Sequence, residues 1–137
     1  MIPILYIDEE ANSEAMASKF DMMATFEIEV RPIVNVADAL PALRLQKDIA
    51  LVVLDIIMPP LDAYTLEETN GGTRTGLRLL EDLRREFPRV PLVIVSVMPR
   101  EIADSSIRLY AVADYITKPV NGSQLSECVL RVLGRWK

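Results

Sequence analysis

The stretch Ile49–Pro60, "IALVVLDIIMPP", decides how this chain is read. It is a continuous apolar run that ends on an aspartate and then a Met-Pro step. Little alternation and much Val, Ile and Leu suit a parallel strand buried on both faces. A carboxylate at the end of such a strand is costly unless it is paired, metal-bound or chemically used.

Working outward, four more apolar runs read as strands: "PILYI" (about 3–7), "FEIEVRPIV" (about 26–33), "PLVIVSV" (about 91–97) and "ADYIT" (about 113–117). The second alternates more, as an edge strand does. Helical periodicity fills the gaps. "EANSEAMASKFDMMAT" gathers Met16, Met22 and Met23, which are expected to pack rather than to bind a cofactor. "NVADALPALRLQ" offers Asn35 as N-cap, with Pro41 forcing a kink or a late start. "TGLRLLEDLRREF" carries Leu77, Leu80, Leu83 and Phe87 at three- and four-residue spacing. "PREIADSSIRLYA" is a weaker, shorter candidate, and "GSQLSECVLRVLGRW" places Leu125, Val129, Val132 and Leu133 on one face with Cys128 beside it. Strand and helix alternate five times, the mark of a doubly wound α/β fold.

Bulk properties bound the function. The 137 residues fit one domain, and the net charge of −5, from 20 acidic and 15 basic residues, leaves no footprint for nucleic acid. No apolar stretch approaches the ~20 residues that span a bilayer, and one cysteine forms no internal disulfide, so a cytoplasmic protein is expected. There is no histidine, so phosphoryl chemistry here must use carboxylates, hydroxyls and lysines.

In an open parallel sheet, ligands bind at the carboxyl ends of the strands. Those ends carry Asp8 with Glu9 and Glu10, then Asp55, then Ser96, then Thr117, Lys118 and Pro119. Clustered carboxylates suit Mg²⁺. Lys118 supplies a positive point charge for phosphate, and Ser96 a hydroxyl. Together they meet the needs of an acyl-phosphate site with Asp55 as nucleophile. Singly, each has a plainer reading as a helix cap, a backbone partner or a solvated charge; their joint placement favours the site.

"ILYIDEE", "VVLDIIMP", "VIVSV" and "DYITKP" stand in the order and spacing of a two-component response-regulator receiver domain, which the chain resembles over nearly its whole length. The resemblance implies a flavodoxin-like receiver fold, a five-stranded parallel sheet in order 2-1-3-4-5, filling residues 1–137 as a single domain with no output domain. It implies Asp55 as phosphoacceptor, and Mg²⁺ held by Asp8, Glu9, Asp55 and the Ile57 backbone carbonyl. Ser96 and Lys118 would contact the phosphoryl group, Ser96 and Tyr115 would form the switch, and Pro119 would follow a cis bond. The implied partners are a histidine kinase or phosphotransfer protein and an unknown downstream protein. A homodimer through the fourth helix, fifth strand and fifth helix is a further implied arrangement. No nucleic acid, no membrane and no turnover enzyme are expected.

The chain departs from that pattern in three places. Glu9 stands where a second aspartate is usual. Val97 follows Ser96 where a small residue is usual, at the entrance that Ile57 and Met98 also flank, which predicts slow hydrolysis of phospho-Asp55. The loop "PLDAYTLEETNGGTRT" (60–75) is long, with Gly76 in the place of a glycine that normally comes about a dozen residues sooner. It is either a tolerated insertion or a lid and docking surface, with Arg74 able to reach the acidic cluster. The alternative function is a receiver-like interaction module that is never phosphorylated. Two enzyme readings are weak. An aspartate-based phosphatase wants an acid where Ile57 stands. A nucleotide site wants a glycine- or hydroxyl-rich loop where "DEEANS" stands.

Overall fold

The computed structural model describes residues 1–136. Five strands form one parallel sheet: β1 (Ile2–Ile7), β2 (Ile28–Ile33), β3 (Leu51–Leu54), β4 (Leu92–Ser96) and β5 (Asp114–Thr117). Their order is β2-β1-β3-β4-β5, as expected. Four helices connect them, α1 (Glu14–Ala24), α2 (Ala39–Leu45), α3 (Thr75–Glu86) and α4 (Arg100–Leu109), and α5 (Gly122–Val132) follows β5.

Alternation along the strands builds two cores. Val52 and Leu54 of β3 join Leu5, Ile7, Leu92 and Ile94 against α2, α3 and α4. Leu51 and Val53 join Ile4, Tyr6, Val93 and Val95 against α1 and α5. β3 is wholly buried because both faces are covered. β2 lies at the edge and is mostly half-buried, which accounts for its more alternating sequence.

Element ends differ from expectation where local turns intervene. β2 begins at Ile28, because Phe26 and Glu27 close a turn after α1 in which Glu27 takes φ 65°. α1 begins at Glu14, where the Ser13 hydroxyl accepts from Met16 N at 3.2 Å. Asn35 does cap, but it caps a 3-10 turn (Val36–Asp38). α2 starts after that turn, with Pro41 in its first turn, where a missing N–H costs nothing. Met16 and Met23 are buried, whereas Met22 is exposed. Its Cβ still faces Gly122, where any added side chain would come within 2.7 Å of it, so α1 and α5 pack closely there.

The segment 60–75 folds on itself. Thr65 and Glu68 cap each other reciprocally: Glu68 Oε1 accepts from Thr65 N at 3.0 Å, and Thr65 Oγ1 accepts from Glu68 N at 2.9 Å. The fully buried Thr69 donates its hydroxyl to Thr65 O at 2.9 Å. Tyr64 donates to Asp82 of α3 at 2.5 Å, and Arg78 lies over the Tyr64 ring. The two stems meet where Met58 N donates to Gly72 O at 3.3 Å and the Thr75 hydroxyl donates to Met58 O at 2.5 Å. No helix among the described residues is long and apolar enough to cross a membrane.

Candidate functional site

β1 and β3 are neighbours in register, Ile7 opposite Leu54, so both release the chain at the same edge, and Asp8 and Asp55 follow side by side. Asp55 N donates to Ile7 O at 2.9 Å, which continues the ladder past the strand end. Lys118 follows β5, and its N donates to Ser96 O at 2.9 Å. From there its side chain spans to both acids: Nζ lies 2.9 Å from Asp8 Oδ2 and 2.9 Å from Asp55 Oδ2. The two carboxylates are almost wholly buried, and the lysine side chain is 23% exposed.

The remaining carboxylate oxygens are held by backbone. Asp8 Oδ1 accepts from Glu10 N at 2.9 Å, and Asp55 Oδ1 accepts from Ile57 N at 3.2 Å. Burial opposes the charge on Lys118, but hydrogen bonds and attraction from Asp8 and Asp55 outweigh it and raise its pKa. Gly76 explains how α3 comes so near. Its N donates to Ile56 O at 2.7 Å, and a Cβ there would stand 2.0 Å from Asp55 O.

Ser96 and Tyr115 meet at one backbone unit. Ser96 is fully buried and its hydroxyl accepts from Met98 N at 3.3 Å. Tyr115 is buried and its hydroxyl donates to Met98 O at 2.5 Å. Burial, then the fields of Asp55 and Glu101, push the Tyr115 pKa up to about 12. Among the described residues the Ser96 hydroxyl bonds neither Asp55 nor Lys118, so it is committed to the β4–α4 turn. The Lys118–Pro119 peptide is cis. Val97 is 59% exposed, beside this turn.

Two expected members stand apart. Among the described residues no three His, Cys, Asp or Glu side chains converge to hold a metal. The expected carboxylate trio therefore reduces to Asp8 and Asp55. Glu9 is exposed and lies along a shallow depression with Ile57 and Gly72, because the chain turns outward at once after Asp8. Arg74 does not reach the acids either. It immediately precedes α3 and lines a cleft with Leu77, Glu81, Ser106 and Tyr110 on the side of α4. The first turn of α3 fixes that direction.

The donor set still fits a hard cation. Asp8 and Asp55 bring two negative charges against one positive charge from Lys118. The Ile57 carbonyl accepts no hydrogen bond among the described residues. Mg²⁺ keeps several waters and needs only one or two carboxylates.

Sequence reasoning missed Tyr6. Its hydroxyl is buried without a partner, and burial, then Asp8 and Asp55, raise its pKa well above a phenol's usual value. It also missed the order within 60–75, although "TLEE" at 65–68 carries the T-x-x-E spacing of a capping box.

Many solved structures share this architecture. A response regulator receiver domain protein from Clostridium thermocellum superposes with a TM-score of 0.76 at 20% identity, covering 98% of this chain and 96% of that one. The chain has the receiver fold. A CheY-like receiver domain protein from Methanospirillum hungatei gives 0.76 at 19% identity, with 98% and 96% covered. The response regulator TrrA from Thermotoga maritima, solved in complex with Mg(2+)-BeF, gives 0.71 at 23% identity, with 96% and 99% covered. No family model and no curated protein matches the sequence. The receiver fold puts Asp55 at the carboxyl edge of its central strand, between the strands that deliver Asp8 and Ser96.

Proposed function

We propose that this protein is a phosphorelay receiver that accepts a phosphoryl group on Asp55 and signals through protein contact. One observation carries the reading: Lys118 Nζ bridges two buried carboxylates, Asp8 and Asp55, at the carboxyl edge of the sheet. In transfer from a phosphohistidine, an Asp55 oxygen attacks phosphorus, the new O–P bond forms, and the donor's N–P bond breaks. The donor imidazole leaves with the electron pair. Because the chain has no histidine, the donor is a histidine kinase, a phosphotransfer protein or a small phosphodonor.

Asp8, Asp55 and the Ile57 carbonyl would hold Mg²⁺, with Glu9 outside the immediate set. When bound, the ion neutralises charge on the phosphoryl oxygens. Lys118 stays protonated because its pKa is raised, and it releases Asp55 Oδ2 to follow the phosphoryl group. Ser96 and Tyr115 share Met98, so drawing the Ser96 hydroxyl toward the phosphoryl group breaks one of the two bonds holding the turn before α4. That turn is the element whose two arrangements phosphorylation biases. The face of α4, β5 and α5 would pass the change to a downstream protein or to a second copy. The protein is a cytoplasmic phosphoacceptor, not a turnover enzyme.

Intact-mass measurement after incubation with acetyl phosphate and Mg²⁺ tests the reading. One added phosphoryl group, absent in Asp55→Asn, is expected. An unmodified wild-type protein, with a histidine kinase screen also negative, would favour the phosphorylation-independent module. The outward position of Glu9 is the observation on that side.

A further inference from the structure

The receiver reading does not use the segment 60–75, yet the fold spends many hydrogen bonds to keep it in one shape. That shape holds open a groove of about 660 Å³. Its apolar wall is Pro59, Pro60, Leu61 and Leu66, and the two leucines are 56% and 66% exposed. A second depression shares Pro59, Pro60 and Leu66 with the groove and runs to Glu9, next to Asp8, and to Ile57, whose N donates to Asp55 Oδ1 at 3.2 Å. One mostly apolar track thus leads from beside the two acids to the insertion.

Charge along the track has a single sign. The sequence has no lysine or arginine between residues 1 and 18 or between 48 and 73. Asp62 and Glu68 line the groove, Glu9 lines its extension, and Glu67 and Glu10 are exposed close by in sequence. Glu68 is partly answered by Arg78 at 3.7 Å; Asp62, Glu67, Glu9 and Glu10 have no ion-pair partner among the described residues.

We propose that this track is the docking surface for the protein that phosphorylates Asp55, and that it selects a donor helix bearing an apolar ridge flanked by Lys or Arg. The proposal rests on the receiver reading. A protein donor must bring its phosphohistidine over Asp55, and the track begins at Ile57, whose N–H bonds that carboxylate, so a donor helix seated over Asp55 lies beside the track. Exposed leucines favour an apolar counterpart. The one-signed rim speeds cationic partners and penalises acidic ones.

The test is phosphotransfer profiling with purified, autophosphorylated histidine kinases and phosphotransfer domains from the source organism. Acceptors are the wild type, Leu61→Ser/Leu66→Ser and Asp62→Lys/Glu67→Lys. All four positions are exposed, so folding is retained, with circular dichroism as the check. For the fastest donor, each double variant is expected to lower kcat/KM at least tenfold, and added salt to slow transfer to the wild type. Acetyl phosphate labelling, which reports the Asp55 pocket itself, is expected to be equal in all three. Equal transfer rates in all three would overturn the docking proposal. So would labelling by acetyl phosphate with no donor protein able to transfer. Failure of both acetyl phosphate and every donor on the wild type would instead bring down the receiver reading and the docking proposal with it.

Discussion

Replacing Lys118 with methionine leaves Asp8 and Asp55 facing each other without their shared cation. Each Oδ2 lies 2.9 Å from Nζ, so the two oxygens stand no more than about 5.8 Å apart. At an effective dielectric constant of about 20, two unit charges at that separation repel by about 3 kcal/mol. Water entering through the 23% exposed lysine position reduces this, and about 2 kcal/mol is the expected cost at neutral pH. The sign of the pH dependence follows. In Lys118→Met one carboxylate holds its proton more tightly when folded than when unfolded. The repulsive penalty is therefore absent below the unfolded pKa of about 4, and it appears over the next one to two units as pH rises. Urea unfolding at pH 3.5 and 7.5 would measure it. The gap between wild type and Lys118→Met is expected to be wider at pH 7.5 by about 2 kcal/mol. Adding Asp55→Asn to the variant should restore stability at pH 7.5. A gap that does not change with pH, together with no gain from Asp55→Asn, would refute the electrostatic account of the site.

Three further outcomes are expected. Gly76→Ala would set a Cβ 2.0 Å from Asp55 O and 2.5 Å from Ile56 Cα, both backbone atoms that cannot step aside cheaply. A loss of at least ~2 kcal/mol in chemical denaturation and a sharp drop in acetyl phosphate labelling follow. In the wild type, the raised Lys118 pKa contributes stability that is fully present below its unfolded pKa of about 10.4 and is lost as pH rises through the folded value. Thermal scans should show an alkaline decline that is shallower in Lys118→Met, where the buried tyrosines still contribute to it. Val97→Ala opens the exposed rim beside Ser96 and should speed phospho-Asp55 hydrolysis several-fold, followed by loss of the phosphorylated mass. An unchanged decay would remove Val97 from the account of slow hydrolysis.

The fold was legible where burial on both faces writes long apolar runs, as in β3 and β4, and the site where those runs end on Asp55 and Ser96. Asp8 and Lys118 were legible for the same reason: a strand end fixes where the next side chain begins. Glu9 and Arg74 were not, because the direction of a side chain on an irregular segment depends on turns that no periodicity announces. Residues 9–13 and 61–74 are held by hydrogen bonds such as Glu10 N to Asp8 Oδ1 and Arg74 N to Thr69 O. The boundary of β2 moved for a similar cause: Phe26 and Glu27 have the composition of a strand, but the turn that ends α1 claims them.

The meeting of the two stems at Met58 has an engineering consequence. Gly72 and Thr75 both fasten to that one residue, so the segment between Pro60 and Gly72 leaves and returns at nearly the same point, with Tyr64 as a second clasp on α3. With Tyr64 and Thr69 kept, its exposed positions can be exchanged for foreign sequence while the sheet keeps its register. A partner preference built into that segment is thereby portable: moved to another chain of this architecture, it would carry its address with it.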